Sequence, residues 1–439
     1  MQKILQKLQN FYPITIVWGF SFFLMIPIAC KFKPKVNLDN SGTFYKMLGA
    51  FEGAEAYDVV ENSDGTLLVA GSVNVKDFAD DGSEFIRTIG YLAKTDAFGN
   101  LLWEKKLNAR AAKAIYPASS GGWYVGIDSS FQVGNTSYTN FALMKIDNDG
   151  NVQWAKKYPN NTRFERLKGI VVFEDIGNIY LFGDFSVAEN TTQAKIYLII
   201  TDINGNFINQ SEYGTFGVVT PTTPGPNLIG NAMSDKFSNN YQILVSGTTE
   251  FSGDKKLDIR VLRMRFTGGS LVATADLTNL FGGIGDDFGE QVITTSDKNL
   301  LITGTISAGE NGGKDIYVSK IRVVREFGDI WSGWDIEWEK NLGGGGDDEG
   351  KTITQMDNGE FLVAGNVATI GNAKDILLYK LDFFGNVVWE KQFGGTKDDK
   401  ARRIKQLANG DILILGTIGF EQVNMIALIR TDRNGNLVR

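Results

Sequence analysis

Three times this chain sets two adjacent aspartates at the end of a glycine-rich loop. The copies read Phe281-Gly-Gly-Ile-Gly-Asp286-Asp287, Leu342-Gly-Gly-Gly-Gly-Asp347-Asp348 and Phe393-Gly-Gly-Thr-Lys-Asp398-Asp399. Paired carboxylates are oxygen-only ligands of the kind that suit hard cations. Asp286, Asp287, Asp347, Asp348, Asp398 and Asp399 are therefore the candidate ligands for Ca²⁺ or a cationic ligand, and no other cofactor is expected. A plainer role competes with this one. Asp accepts backbone N–H bonds within turns, and recurrence at every strong copy favours that role, because a single site needs no three copies. Asp258, Asp315 and Asp375, with Asn140 and Asn424 at the same repeat position, read as partners in the same loop network.

A second candidate is Trp331 with Trp334, in an enlarged hairpin from Arg325 to Asp335. Exposed Trp rings stack on sugars or anchor a partner protein; local packing over an edge is the alternative. The composition excludes much else. There is no histidine in 439 residues, which removes Ser-His-Asp and Cys-His catalysis, His bases and His metal sites together. A single Cys rules out an internal disulfide framework. A net charge of −7 argues against a general nucleic-acid surface. A chain that is 43% hydrophobic and 12% aromatic is not a disordered one. No spacing singles out a carboxylate pair for hydrolysis, and no helix follows the glycine loops to bind phosphate. No catalytic residue is assigned, and the chain is not expected to be an enzyme.

The elements that must hold these residues come from one repeat, read seven times. A glycine at the end of an apolar segment recurs at Gly71, Gly126, Gly183, Gly247, Gly304, Gly365 and Gly416. Each unit opens with a Gly/Asp loop and a short strand such as Lys351 to Gln355. A tight turn such as Asn358-Gly359 or Asn409-Gly410 leads to an apolar strand, Phe361 to Ala364. A variable loop follows, then an alternating strand, Ile376 to Leu381. A second turn, Gly385-Asn386, leads to a last strand that often carries Trp (Trp103, Trp154, Trp338, Trp389). Short β-branched and aromatic runs between such turns are hairpins. Four strands per unit predict an all-β fold over 43–439, a seven-bladed β-propeller of four-stranded blades. Phe44 to Leu48 aligns with Trp389 to Phe393, so the N-terminal strand is expected to close the ring. The fourth unit opens with a long loop, Thr215 to Asn231.

The Gly-Gly-x-Gly-Asp-Asp loop, the Asn-Gly or Asp-Gly before the apolar strand, and Lys314-Asp315-Ile316 with Lys374-Asp375-Ile376 resemble the bacterial SBBP-type β-propeller repeat. The resemblance is strong in units five to seven. It implies a propeller and an exported, envelope-associated protein, and no common enzymatic activity. The motif Asp382-x-x-Gly385-x-x-x-Trp389, also at Asp96/Gly99/Trp103 and Asp147/Gly150/Trp154, superficially resembles the tryptophan-docking motif of quinoprotein propellers. Its spacing is one residue short, and the expected role is Trp packing between blades, without a quinone.

The N-terminal 29 residues read as an export signal. Lys3 and Lys7 precede a mostly apolar run, Ile14 to Ala29, too short for a typical membrane span. The run ends at Pro27-Ile28-Ala29-Cys30, which resembles a bacterial lipobox, with Pro27 where Leu is usual. The resemblance implies lipidation at Cys30; an uncleaved anchor and ordinary signal cleavage are the alternatives. Residues 30–42, with Lys31, Lys33 and Lys35, read as a basic tether. The expectation is an exported, membrane-anchored lipoprotein of the bacterial outer membrane that acts as a non-catalytic scaffold for an envelope protein partner. A surface protein binding glycans or cations is the alternative, and a His-independent polysaccharide-acting enzyme the third. Nucleic acid is not among the expected partners.

Overall fold

The computed structural model describes residues 42–437, apart from 50–51, 80, 159–161, 190–193, 214–227, 235–241, 251–256, 268–269, 277–280, 283–284, 308–311, 327–329 and 370–372. The lipidation candidate Cys30 and the tether lie outside the described residues. The described regular structure is all β. After β1 (Phe44–Leu48) comes a meander of β2 (Ala54–Glu61), β3 (Leu67–Phe78), β4 (Glu84–Thr95) and β5 (Leu101–Leu107). The second is β6 (Ala111–Pro117), β7 (Trp123–Val133), β8 (Thr136–Ile146) and β9 (Val152–Lys157); the third is β10 (Phe164–Phe173), β11 (Asn178–Ser186), β12 (Lys195–Asp202) and β13 (Phe207–Tyr213). A parallel bridge, Phe164 to Thr139, links these two. Next come β14 (Leu228–Met233), β15 (Gln242–Glu250), β16 (Leu257–Thr267) and β17 (Ser270–Asp276), then β18 (Phe288–Thr294), β19 (Leu300–Ser307), β20 (Lys314–Glu326) and β21 (Ile330–Leu342). The chain continues through β22 (Glu349–Gln355), β23 (Phe361–Ala368), β24 (Lys374–Leu381) and β25 (Val387–Phe393) to β26 (Asp399–Gln406), β27 (Ile412–Phe420) and β28 (Val423–Thr431). The last three make a four-stranded sheet with β1, which pairs antiparallel to β28 from Phe44↔Arg430 to Leu48↔Ile426. Four-stranded antiparallel meanders of this kind are propeller blades.

The core lies between successive sheets. One cluster joins Leu68 and Leu92 of the first meander to Trp123 and Ile146 of the second. Another joins Ile376 and Leu378 to Ile404 and Ile414, and a third joins Leu67 and Val69 to Leu413 and Leu428. Middle strands packed between sheets are buried on both faces. This changes the expected alternation in β24, where Ile376 to Tyr379 is a continuous buried run. The expected loop Thr215 to Asn231 is also shorter than read, because β14 begins at Leu228.

The seven recurring glycines do not end their strands. Gly365 sits in the middle of β23, opposite Gly350. The reason is a β-bulge. Each first strand carries one extra residue, with register shifts at Ala56/Asp58, Ala112/Ala114, Leu167/Gly169, Gly230/Ala232, Gly289/Gln291, Gly350/Thr352 and Ala401/Arg403. The bulge pushes a carbonyl against the second strand. A Cβ on Gly365 would stand 2.3 Å from the Glu349 oxygen, and one on Gly71 2.3 Å from that of Glu55. Only glycine leaves room there.

The turns are locally encoded. In Asp382 to Asn386, one Asp382 oxygen accepts from the N–H of Phe384 (2.9 Å) and of Asn386 (2.8 Å), and Gly385 takes φ +80°. Trp338 of the preceding meander packs on Gly385, as Trp103 does on Gly150 and Trp389 on Gly435. The Asp-x-x-Gly motif thus docks Trp between neighbouring sheets. Phe44 occupies the equivalent place on Gly99.

Candidate functional site

The aspartate pairs divide into two jobs. The second member is buried in its own loop. Asp348 Oδ2 accepts from Gly344 N (2.6 Å) and Oδ1 from Ala368 N (2.8 Å). Asp399 repeats the pattern with Gly395 N (2.8 Å) and Gly419 N (2.9 Å), and Asp287 accepts from Ser307 N (2.7 Å). The first member is exposed and reaches backwards. Asp347 accepts from Lys314 N (3.2 Å) and Asp398 from Lys374 N (3.1 Å), each on the third strand of the preceding meander. Asp286 is exposed as well, and its carbonyl accepts from Ser307 Oγ. Of the expected acidic crescent, only Asp286, Asp347 and Asp398 face solvent. Metal ligation by Asp348 or Asp399 would have to break two backbone bonds apiece, and by Asp287 the one from Ser307. Among the described residues, no group of three or more acidic or thiol side chains has the arrangement of a metal site. Burial pushes the Asp399 carboxyl above its usual range, helped by Asp375 and Asp398 and opposed by its two N–H donors. Asp375 accepts from Gln392 (2.7 Å) and Asn140 donates to the Tyr158 carbonyl (3.2 Å), so both belong to the loop network at the strand ends.

The bulges supply residues that motif reading missed. The extra residues are Tyr57, Lys113, Lys168, Asn231, Glu290, Lys351 and Arg402. Neighbours meet across sheets: Lys351 Nζ lies 2.8 Å from Glu290, Lys113 Nζ 3.5 Å from the Tyr57 ring centroid, and Asn231 donates to the Gly289 carbonyl at 2.6 Å. Arg402 stands 3.9 Å from Glu55, and Lys168 4.0 Å from Asp184, which also pairs with Arg166. Burial pushes Lys113 down and its partner Asp128 up, so desolvation outweighs their mutual attraction. The sequence signal was a small residue followed by a long polar one, as in Ala112-Lys113, Gly289-Glu290, Gly350-Lys351 and Ala401-Arg402.

Glu349 joins one of these bulge residues to the third strand of the same sheet. It lies 2.6 Å from Lys374 and 3.3 Å from Lys351. Burial alone would raise its carboxyl; the two ammonium groups outweigh that and hold it at about 2. A depressed carboxylate contributes stability that is full above its ordinary value of 4.5 and lost as pH falls toward 2. Glu349→Gln is expected to cost about 2 kcal/mol at pH 6. It should also flatten the fall in melting temperature between pH 4.5 and 2, as followed by circular dichroism. Parallel acid profiles for variant and parent would refute this role.

Two hairpins stand out on the opposite side from the Asp-x-x-Gly turns. β3 and β4 have 12 residues each, and β7 and β8 have 11, against 8 for β23 and β24. The first is braced by Arg87–Asp77 and Lys76–Glu84, both 2.9 Å, and by Thr88 to Asn74 at 2.8 Å. The second is braced by Phe131 stacked on Tyr138 and by Tyr138 on Phe164 of the next meander. Phe78 is 65% exposed at the first tip, with Ile86 on the same face of the hairpin, Phe85 on the other face and Val133 on the second tip. A polar cleft of about 460 Å³ lies at the base of the first hairpin, lined by Glu52, Glu55, Tyr57, Asn74, Thr88 and Asn424 among others.

The tryptophan candidates divide. Trp334 is half-buried, 5.3 Å from Phe281 between ring centroids and packed on the Ile259–Val323 cluster. The hairpin register places it opposite buried Val323, which removes it as a freely displayed stacking surface. Trp331 pairs with Arg325 in the β20–β21 ladder; its side chain lies outside the described residues.

The class defined by these sheets is the β-propeller. No family model matches the chain, and no curated protein matches it. Among solved structures, it is similar to the β-propeller domain of the Trilobed protease from Pyrococcus furiosus, at 10% identity over 90% of this chain and 98% of that one, TM-score 0.46. It is similar to a protein of unknown function from Dyadobacter fermentans at 11% identity, 88% and 97% coverage and TM-score 0.44. A third, Sqt1 from Chaetomium thermophilum, shows 9% identity, 91% and 86% coverage and TM-score 0.42. The assignment of the fold rests on the sheet pattern and register above.

Proposed function

We propose that the chain is an exported, lipid-anchored scaffold of the bacterial envelope, with a closed ring of seven blades and an SBBP-type repeat. The ring reading is supported by bonds at the seam between the last and first meanders. Ala56 N donates to Thr417 Oγ1 (3.0 Å), as Leu167 N does to Asp128 and Ala401 N to Asn366 elsewhere. Ala408 N donates to Glu61 (2.9 Å), as Asp357 N does to Gln406 and Ser296 N to Gln355. Arg403 stands 3.2 Å from Asp58. In that ring the bulge residues line the central channel, and their charges largely satisfy one another.

The observation that carries the scaffold reading is the pair of braced hairpins with exposed Phe78, Phe85, Ile86 and Val133. Rigid apolar tips on one face of a scaffold are what a protein partner buries. The test is photo-crosslinking from residue 86 in native envelope, with the same probe in the Phe78→Asp/Phe85→Asp background as the control. One predominant crosslinked partner is expected, reduced more than about tenfold by the double substitution at unchanged melting temperature. Crosslinking that is spread over many proteins, or untouched by the substitution, would overturn the reading. The glycan- or cation-binding alternative is favoured by the polar cleft beside Tyr57; saccharide binding lost in Tyr57→Phe/Asn74→Ala would support it.

A further inference from the structure

The side carrying the Asp-x-x-Gly-Asn turns has an apolar rim. At the start of four of the fourth strands, β5, β9, β13 and β25, the outward residues include Leu102, Val152, Phe207 and Val388, with Phe384 at a turn tip 70% exposed. They recur in sheet after sheet, and they sit on outer edge strands where no neighbouring sheet covers them. Asp382, Asp147 and Asp202 are folded back onto the N–H groups of their own turns. Exposed hydrocarbon therefore shares this rim with the polar turn tips Asn148, Asp149, Asn204 and Arg433.

The described chain begins at the same rim. β1 begins at Phe44, whose ring lies on Gly99 in the β4–β5 turn, and Lys46 donates to Asn100 of that turn (3.1 Å). From Cys30 to Thr43 the chain spans at most roughly 45 Å. We infer that this rim is a membrane-facing surface: the propeller lies with its Asp-x-x-Gly turns toward a lipid bilayer, and Phe384, Val388, Phe207 and Leu102 enter the headgroup boundary. A lipid surface fits better than a second protein because the rim is shallow, circumferential and fed by the anchor. Scattered apolar side chains at headgroup depth add weak binding that only an anchor makes stable. The partner-binding hairpins then point away from the membrane. The inference rests on the anchoring reading of Cys30.

Cys30 is the only cysteine, so once it is lipidated an introduced thiol is the sole reactive one. Full-length lipidated Phe384→Cys, Leu102→Cys and Phe85→Cys variants, each carrying an environment-sensitive fluorophore, would be reconstituted into phosphatidylcholine/phosphatidylethanolamine vesicles. Doxyl-labelled lipid is the quencher. Blue-shifted emission and quenching several-fold stronger at 384 and 102 than at 85 are expected. Quenching at 85 alone, or at none of the three, overturns the orientation while leaving the anchor intact. An unmodified Cys30 thiol by intact mass, with protein in the soluble fraction, overturns the anchor and the orientation together.

Discussion

Protein lacking residues 43–48 is expected to lose about 5–10 °C of melting temperature and to self-associate. β1 supplies the fourth strand of the last sheet. Phe44, Lys46 and Leu48 face inward, and Leu48 lies in the cluster that joins the first and last meanders. Its ladder covers Arg430, which is buried and pairs with Asp411 at 2.8 Å. Arg430 also donates to the Ala97 carbonyl across the seam (2.5 Å). Removing β1 wets that pair and bares an edge on β28. Each lost ladder bond is worth about 1 kcal/mol and Leu48 burial about 2 kcal/mol more. Differential scanning calorimetry and light scattering read both effects. Met47→Ala, on the exposed side of the same strand, should leave the transition in place. An unchanged cooperative melt of the truncated protein would refute closure by β1.

Asp348→Ala is expected to cost roughly 2–3 kcal/mol, because it removes a buried carboxylate that accepts from two N–H groups, of Gly344 and Ala368. Asp347→Ala removes one longer bond at an exposed site and should cost less than about 0.5 kcal/mol. Urea unfolding resolves the two. The same experiment run with Ca²⁺ and with a chelator separates latch from ligand. A latch gives the same midpoint in both solutions. A midpoint several-fold more displaced by Ca²⁺ in the parent than in Asp348→Ala would restore the cation reading.

Legibility followed the range of the physics. The turns could be read because Asp382, Gly385 and Asn386 complete their bonds within five residues. The partner strand of β1 could be read because Phe44 carries the aromatic position of Trp389 in an aligned copy. The bulge could not, since one extra residue per strand is visible only against the strand it pairs with. That is why Gly365 looked like a strand end rather than a mid-strand relief for the Glu349 carbonyl. The aspartate pairs were visible as a motif, but not the split between buried Asp348 and exposed Asp347, which depends on the neighbouring sheet. The choice between display and packing for Trp334 was not legible, because hairpin register, not composition, decides which side of β21 it takes.

The β1–β28 ladder also sets an order of events. Phe44 must meet Arg430, 386 positions further along the chain. The first strand to be made is therefore among the last to be satisfied. Until β28 exists, β1 has no partner, and loop closure over that distance is entropically the costliest in the protein. In the export proposed above, the nascent chain would present β1 unpaired for the whole time of translocation. A chaperone acting on that route would hold the short segment Phe44 to Leu48 out of the first sheets until the last one arrives.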